Sequence, residues 1–158
     1  MKESRRPAGA TSSHPVAGAY ITELKIPAIP EYILVAKRTA ASLGLVVGFS
    51  LHEIDDLNIA ITQACENACH TATEQWGNGN GQLKLLFKGQ PRRLEVEVRS
   101  IPPRDLEQQT VRRARRQTEY DYDTIGLNMI RLFVDELRYQ VDNQTGSMRM
   151  RMVKYLIE

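Results

Sequence analysis

The sequence predicts an α+β fold, a two-layer sandwich with a mixed, mostly antiparallel sheet and helices on one face. Two observations support this class. Short segments that alternate apolar and polar residues, the pattern of half-buried strands, occur near both ends and in the middle of the chain. Two segments with helical periodicity follow the first strand, which gives the order β-α-α-β-β, a long connection, then α-β-β.

Composition limits the possible function classes. The chain of 158 residues is long enough for one domain with a buried core, and its net charge of +2 gives no overall basic field for nucleic acid. No apolar run approaches the ~18 residues of a membrane span. Residues 1–19, rich in Pro, Gly, Ser and Ala, lack a signal-peptide core and are predicted to be a disordered tail. We therefore expect a single domain at residues 20–158 and a cytoplasmic protein.

The first half of the domain is predicted to contain a strand at residues 20–26 and two helices. The first helix spans residues 31–43 and ends at Gly44. Its core positions are Ile33, Leu34, Ala36, Ala40 and Leu43. The second helix begins after an N-cap at Ser50 and runs to about Glu74, which makes it the longest predicted helix.

The second half is predicted to contain four strands and a short helix. The strands lie at residues 83–87, 94–98, 137–141 and 148–156, and the helix at residues 126–134. The segment between them, residues 100–123, has little apolar content and is either a long loop or a polar helix.

The longest helix has two stripes along its surface. The core stripe contains Ile54, Leu57, Ile61, Ala64, Ala68 and Ala72. The neighbouring stripe is polar and contains Asp56, Gln63, Asn67 and Glu74. Gln63 and Asn67 are four residues apart, so their side chains are neighbours on the helix surface. Periodicity alone favours a solvated helix flank.

Residues 54–68, IDDLNIAITQACENA, resemble the N-box helix of the bacterial anti-sigma-factor serine kinases. These kinases belong to the GHKL superfamily, which also includes gyrase and the sensor histidine kinases. Residues 24–32 are similar to the first strand and helix entry of the family, and residues 125–130 to its glycine-box helix. The resemblance covers residues 21–156 in the correct order, and it implies the Bergerat, or histidine-kinase-like ATPase, fold.

The resemblance also implies a nucleotide site. In the family, a glutamate of the N-box is the general base toward a serine hydroxyl, and an asparagine four residues later ligates the Mg²⁺ of ATP. The corresponding residues here are Gln63 and Asn67. Gly126 and Leu127 fall in the glycine box, where the family contacts the nucleotide. One helical turn directs both N-box groups at the same phosphates, and phosphoryl transfer depends mainly on such positioning.

Several motifs of the family are replaced in this chain. Gln63 cannot accept a proton, so general-base catalysis is lost at that position. The adenine-binding Asp-x-Gly-x-Gly motif corresponds to residues 99–104, RSIPPR, which contain neither aspartate nor glycine. Thr124 stands where a first glycine is expected, and the threonine of the last strands has no clear counterpart. The prediction is a degenerate ATP–Mg²⁺ site with weak or absent kinase activity.

The resemblance implies partner switching as the function. Such a protein sequesters a sigma factor as a homodimer and releases it when a STAS-domain anti-anti-sigma protein competes. We expect two contact surfaces, the first helix with Glu31 and Arg38, and a basic segment in the position of the nucleotide lid. The basic segment contains Arg112, Arg113, Arg115 and Arg116. No membrane partner and no direct nucleic-acid contact are expected.

Other functions remain as alternatives. The chain is an active kinase if its base has moved to Glu66 or Glu74, although Glu66 is expected to point away from Gln63. A nucleic-acid-binding or scaffolding module using residues 112–116 is a third possibility. Cys65, Cys69 and His70 do not have the spacing of a haem attachment motif and lack further ligands for zinc. The two cysteines are predicted to be buried thiols.

Overall fold

A computed structural model describes residues 20–104 and 120–157 as a five-stranded sheet with three helices. The strands are β1 (Tyr20–Pro27), β2 (Gln82–Gln90), β3 (Arg93–Ile101), β4 (Glu136–Val141) and β5 (Met148–Tyr155). The helices are α1 (Ile33–Val47), α2 (Leu51–Trp76) and α3 (Tyr120–Arg131), and a 3₁₀ turn, Pro30–Tyr32, precedes α1. The strand order is β1-β2-β3-β5-β4 with antiparallel neighbours, which confirms the predicted fold class.

The core lies between the helices and one face of the sheet. Alternate residues of the three central strands point into it because side chains alternate between the faces of a strand. These residues are Leu83, Leu85, Phe87, Leu94, Val96, Val98, Met148, Met150 and Met152. The predicted core stripe of α2 is buried in the same cluster, from Ile54 to Ala72. Of the helices in the described ranges, none has both the length and the apolar character needed to cross a membrane.

The first helix is longer than predicted and ends at a different glycine. It continues through Gly44 to Val47 and ends at Gly48, whose φ of 102° is the left-handed conformation that glycine adopts at helix ends. Gly44 has a packing function instead. A Cβ atom at Gly44 would lie 3.2 Å from Cγ1 of Ile54, so this glycine permits the close approach of α1 and α2.

The predicted burial of Leu34 is wrong. Its side chain is 52% exposed, whereas Ile33, Ala36, Ala40 and Gly44 are buried. These buried positions advance by three or four residues from Ile33, so the adjacent Leu34 falls outside the core stripe. Val35 is also exposed, which leaves two neighbouring apolar side chains on the outer surface of α1.

The predicted N-cap of α2 is confirmed. The Ser50 hydroxyl accepts the Glu53 N–H at 3.2 Å, and the Glu53 carboxylate accepts the Ser50 N–H at 2.7 Å, which is a complete capping box. The hydrogen bond from the Ser50 N–H holds the pKa of the Glu53 carboxyl below its ordinary value. An N-cap of this kind contributes about 1 kcal/mol to stability. The helix extends to Trp76, two residues beyond the predicted end.

The third helix begins and ends earlier than predicted. It spans Tyr120–Arg131, so Gly126 lies inside the helix and not at its start. The helix ends there because the next two N–H groups, of Leu132 and Phe133, bond to carbonyls three residues back. The Asp135 N–H then bonds to the Val153 carbonyl, which leads the chain into β4. Of the ambiguous segment 100–123, residues 105–119 lie outside the described ranges.

Two buried glutamates, Glu95 and Glu97, lie on the sheet face opposite the helices. Glu95 accepts hydrogen bonds from Arg93 at 3.0 Å and from Arg151 at 2.8 Å. Glu97 accepts one from Arg149 at 2.8 Å and one from Arg99. The bonds from Arg151 and Arg93 hold the pKa of Glu95 below its ordinary value. Burial alone would raise the pKa of Glu97, but the two arginines outweigh it and that pKa also lies lower.

These pKa shifts predict a loss of stability in acid. A carboxylate with a lowered folded-state pKa stabilises the protein above its unfolded-state pKa, and this contribution disappears as pH falls through the folded-state value. The free energy of unfolding should therefore fall below about pH 5, near the 4.5 of an ordinary glutamate. Urea unfolding between pH 7 and pH 3 measures this dependence.

The variant Glu95→Gln/Glu97→Gln should be less stable than the parent at pH 7 and should lose less stability on acidification. Glu23→Gln is the control, because the Glu23 side chain is 52% exposed and bonded only at the surface. An equally steep acid loss in the double variant would contradict the assignment to Glu95 and Glu97.

Candidate functional site

Asn67 has a buried side chain without a hydrogen-bond partner. It lies in the middle of α2 and is 4% exposed, and within the described ranges neither its Nδ2 nor its Oδ1 atom is bonded. Leaving a buried polar group unsatisfied costs about 1–3 kcal/mol, so native proteins rarely do so without a ligand or an ordered water. Asn67, the predicted Mg²⁺ ligand, therefore has a buried amide that is available to bind a ligand.

Gln63 lies one helical turn before Asn67 and is half-buried. Its Nε2 atom donates a hydrogen bond to the Glu66 carboxylate at 3.3 Å. The expectation that Glu66 points away from Gln63 is therefore wrong. Residues three apart are neighbours on a helix surface, and two long side chains readily span that separation. The base position thus contains an amide with a carboxylate beside it.

Glu74, the other candidate for a relocated base, is paired with a histidine. Its Oε1 atom lies 2.9 Å from Nε2 of His70, one helical turn earlier. Both side chains are partly exposed near the end of α2. Glu66 contacts the base position Gln63 directly, whereas the contact of Glu74 is with His70, so Glu74 is a poorer base candidate than Glu66 on geometric grounds.

The glycine-box residues lie on α3, which packs against α2. A Cβ atom at Gly126 would meet no described heavy atom within 4 Å, so packing among the described residues does not require a glycine there. Among the described residues, there is space for a ligand beside this part of the helix. Leu127 is partly buried against the core cluster and holds this part of α3 in place.

The residues that replace the adenine motif form the end of strand β3. β3 continues to Ile101, three residues further than predicted, and Ser100 is 2% exposed. The Ser100 hydroxyl accepts the Met148 N–H at 2.9 Å, just beyond the last paired residues of β3 and β5. The chain presents no carboxylate in this stretch of 99–104 and continues into Pro102 and Pro103.

The predicted contact residues of α1 lie on one exposed surface. Glu31, in the 3₁₀ turn, and Arg38 are both exposed. Leu34 and Val35 lie between them, 52% and 43% exposed, so the four side chains share one side of the helix. We call these four residues the α1 face. Its apolar pair was not predicted, although two adjacent apolar residues in a helix, such as Ile33 and Leu34, are a signal that one of them is exposed. Arg112, Arg113, Arg115 and Arg116 lie outside the described residues.

Comparison with known proteins identifies the family. No protein-family model matches the chain. The serine-protein kinase RsbW of Bacillus subtilis (strain 168) is 31% identical over 140 residues, covering 85% of this chain and 84% of that protein. This chain belongs to the RsbW family of anti-sigma-factor serine-protein kinases. The RsbW proteins of Oceanobacillus iheyensis and Bacillus licheniformis are 30% identical over 142 residues and 29% over 146 residues. They align with 86% and 89% of this chain, and with 87% and 88% of their own lengths.

A solved structure supports the fold. A crystal structure of the RsbU and RsbW domains of a Mycobacterium tuberculosis protein matches with a TM-score of 0.58 at 14% identity. The match covers 87% of this chain and 32% of the other, so the chain spans about a third of that longer protein. At this identity, the likeness to the RsbW domain shows the fold alone, which agrees with the predicted Bergerat architecture.

The two cysteines of α2 are buried in this RsbW-family protein, as predicted. Cys65 is fully buried and Cys69 is 4% exposed, and both are free thiols. Burial raises the pKa of Cys65 far above its ordinary value and raises the pKa of Cys69 to about 11. Both thiols therefore stay protonated at neutral pH and are poor nucleophiles and metal ligands in the folded state.

The unpaired amide of Asn67 predicts an unusual mutational response. Replacing Asn67 by leucine, which has a similar size, removes an unsatisfied polar group and should leave the ligand-free stability unchanged or higher. Asn58→Leu is a matched control, because its Oδ1 atom is also buried and unpaired in the described structure of the same helix. Urea unfolding without nucleotide measures both. A loss above about 2 kcal/mol in Asn67→Leu would show that the amide has a protein partner.

Proposed function

We propose that this chain is an anti-sigma regulatory factor that sequesters a sigma factor and releases it to a STAS-domain anti-anti-sigma protein. The observation that carries the proposal is the 31% identity between this chain and the RsbW of Bacillus subtilis over most of both chains. Because Gln63 replaces the N-box glutamate, we also propose that phosphoryl transfer is slow or absent. Regulation would then depend chiefly on competition between partners for the same surface.

We propose that the nucleotide site retains its phosphate end and has lost its adenine end. The orphaned amide of Asn67 fits a Mg²⁺ ligand, because Mg²⁺ prefers oxygen donors and is commonly completed by phosphates and water. The space that the described residues leave at Gly126 suits the approach of phosphates. Bound ATP–Mg²⁺ would supply the phosphoryl group and neutralise its charge. With no carboxylate at residues 99–104 to bind adenine, the affinity should be low.

Within this site, Gln63 orients but does not deprotonate. Its amide can donate or accept a hydrogen bond with a serine hydroxyl, and the bond to Glu66 fixes the direction of its nitrogen. Transition states of phosphoryl transfer are largely dissociative, so a positioning amide still permits some turnover. A second candidate function follows from the same contact, an active serine kinase in which Glu66 is the proton acceptor.

Nucleotide binding and turnover separate these functions. ATP–Mg²⁺ should raise the melting temperature only at high concentration, since ligand at 100 times its Kd adds about 2.7 kcal/mol. Asn67→Leu should abolish this shift, and Asn58→Leu should keep it. With labelled ATP and a STAS-domain partner, phosphorylation should be absent or very slow. Gln63→Glu alone should not restore full activity, because the adenine-binding aspartate is also missing.

The variant Glu66→Gln tests the kinase alternative. Rapid stoichiometric labelling of the partner by the parent protein, lost in Glu66→Gln, would overturn the proposed slow transfer and establish Glu66 as the base. If both proteins label at the same low rate, Glu66 has no such function.

We propose that the α1 face contacts the protein partners. It combines the apolar pair Leu34 and Val35 with the charges of Glu31 and Arg38, and protein interfaces typically surround an apolar centre with polar groups. The arginines at 112, 113, 115 and 116 are proposed as a second contact for acidic partner residues, and the protein is proposed to act as a homodimer. The exposed position of the α1 face makes it testable without disturbing the core.

Replacing Leu34 and Val35 by aspartate should weaken sigma-factor binding at least tenfold, about 1.4 kcal/mol, without a change in melting temperature. Leu51→Asp is the control, because Leu51 is 76% exposed at the start of α2, away from the α1 face. Calorimetry gives the affinity, and light scattering gives the stoichiometry. A monomer with no affinity for any sigma factor of its source would refute the anti-sigma function but would leave the fold unaffected.

A further inference from the structure

The sheet face opposite the helices is strongly basic. Strand residues alternate between faces, so the register assigns each side chain to one of them. The cations on this open face are Lys25, Lys84, Lys88, Arg93, Arg99, Arg138, Arg149 and Arg151, and the anions are Glu23, Glu95, Glu97 and Glu136. Eight cations minus four anions give +4 on this face of the described strands, whereas the whole chain has +2. The remainder of the chain therefore has −2.

Four of these cations form a line across the sheet. In the strand register, Lys25 is opposite Lys84, Lys84 is opposite Arg99, and Arg99 is opposite Arg149. We call these four residues the cation row. Like charges directly opposite each other on neighbouring strands are destabilising. The row therefore has a cost in the free protein that an anionic ligand would relieve.

The acidic neighbours of the row neutralise only part of its charge. Glu97, buried below, bonds to both Arg99 and Arg149. Glu23 lies 3.2 Å from the Lys84 ammonium. The two arginines remain nearly half exposed, at 45% and 49%, and each guanidinium has further N–H donors. The two arginines are therefore accessible cations that the buried Glu97 carboxylate fixes in place, whereas at Lys84 the exposed Glu23 carboxylate shares the surface.

The row continues into a cleft at one end. The cleft has a volume of about 500 Å³, and its charged lining residues are Arg99, Arg149 and one carboxylate, Asp142, so two cations face a single anion. It adds depth to an otherwise flat sheet surface, and it gives the two arginines a concave surrounding in which an anion is partly removed from water. Electrostatic attraction is stronger in such a setting than on a flat surface.

We propose that the cation row is the docking surface for an acidic helix of a protein partner. Neighbouring strands are about 4.8 Å apart, so the four cations repeat at that interval. Carboxylates at successive turns of a helix are separated by about 5–6 Å, close to this spacing, whereas alternate residues of a strand are about 6.7 Å apart. A helix lying across the strands would place one carboxylate near each cation.

A protein partner fits this face better than a nucleic acid. Single-stranded nucleic acids are usually held by aromatic side chains on which bases stack, and Tyr155 is the aromatic residue of this face in the described strands. Leu86 and Ile21 adjoin the charged residues and offer apolar contact to a helix. The face lies on the side of the sheet away from α1, so a helix bound here would not compete with a partner on the α1 face.

A labelled model peptide tests the proposal. The probe is a fluorescein-tagged alanine-rich helix with glutamate at one position of each turn, and fluorescence anisotropy reports its binding. The same peptide with lysine in place of glutamate and a DNA duplex of equal length are the comparison ligands. The acidic peptide should bind, and its affinity should fall between about 0.05 and 0.3 M salt because the attraction is screened. The lysine peptide should not bind.

Two variants locate the binding surface. Lys25→Gln/Lys84→Gln removes half of the row from exposed or half-exposed positions, and Arg99→Gln/Glu97→Gln/Arg149→Gln removes the arginines with their buried counterion. Each should weaken peptide binding at least tenfold. Lys37→Gln/Arg131→Gln, on the helices, is the control with the same charge change as the lysine pair and should bind the peptide as the parent does. Circular dichroism and melting temperature confirm folding.

Four outcomes would overturn the proposal. They are the absence of acidic-peptide binding, equal weakening by the control variant, tighter binding of the duplex than of the peptide, and loss of self-association in the row variants. The third would indicate a nucleic-acid surface, and the fourth an interface between copies of the chain. None of these measurements uses a sigma factor or ATP, so they are independent of the proposed anti-sigma function.

Discussion

Four alanines of α2, at residues 60, 64, 68 and 72, are fully buried in the core between the helices and the sheet. Their small side chains allow the helix backbone to approach its neighbours closely, and Gly44 gives α1 the same close approach to α2. The position of α2 then fixes the position of the polar residues beside its alanines. Asn67 is buried because it adjoins this closely packed surface, and its exposure cannot increase without moving the helix away from the core.

The same constraint explains how far the sequence predicts the site. Burial of α2 requires small and apolar residues at helical spacing, so its limits, its capping box and the location of Asn67 can all be read from local patterns. Burial of an amide without a partner cannot be read in this way, because it depends on the surroundings that α1, α3 and the sheet create. The Gln63–Glu66 contact was missed for a related reason. The angle between the two positions on the helix predicts that the side chains diverge, but both side chains are long enough to meet.

Errors in the fold prediction also have physical causes. Gly44 and Gly48 both look like helix ends, and the positive φ that distinguishes Gly48 is visible only in three dimensions. Leu34 is apolar like a core residue, but the adjacent Ile33 occupies the buried position of α1. The cation row is the clearest case of a feature that no local pattern reveals. Its residues come from four strands up to 124 positions apart, and only the strand register places them side by side.

The buried thiols of α2 make the protein its own reporter of local opening. Cys65 and Cys69 are shielded in the folded state, and burial keeps them protonated, so a thiol reagent modifies them only after part of the helical layer detaches. The rate of labelling therefore measures how often that layer opens. Cys69 lies near Glu31, at the start of the α1 face. The rate at which Cys69 is labelled therefore depends on how α2 separates from the start of the α1 face.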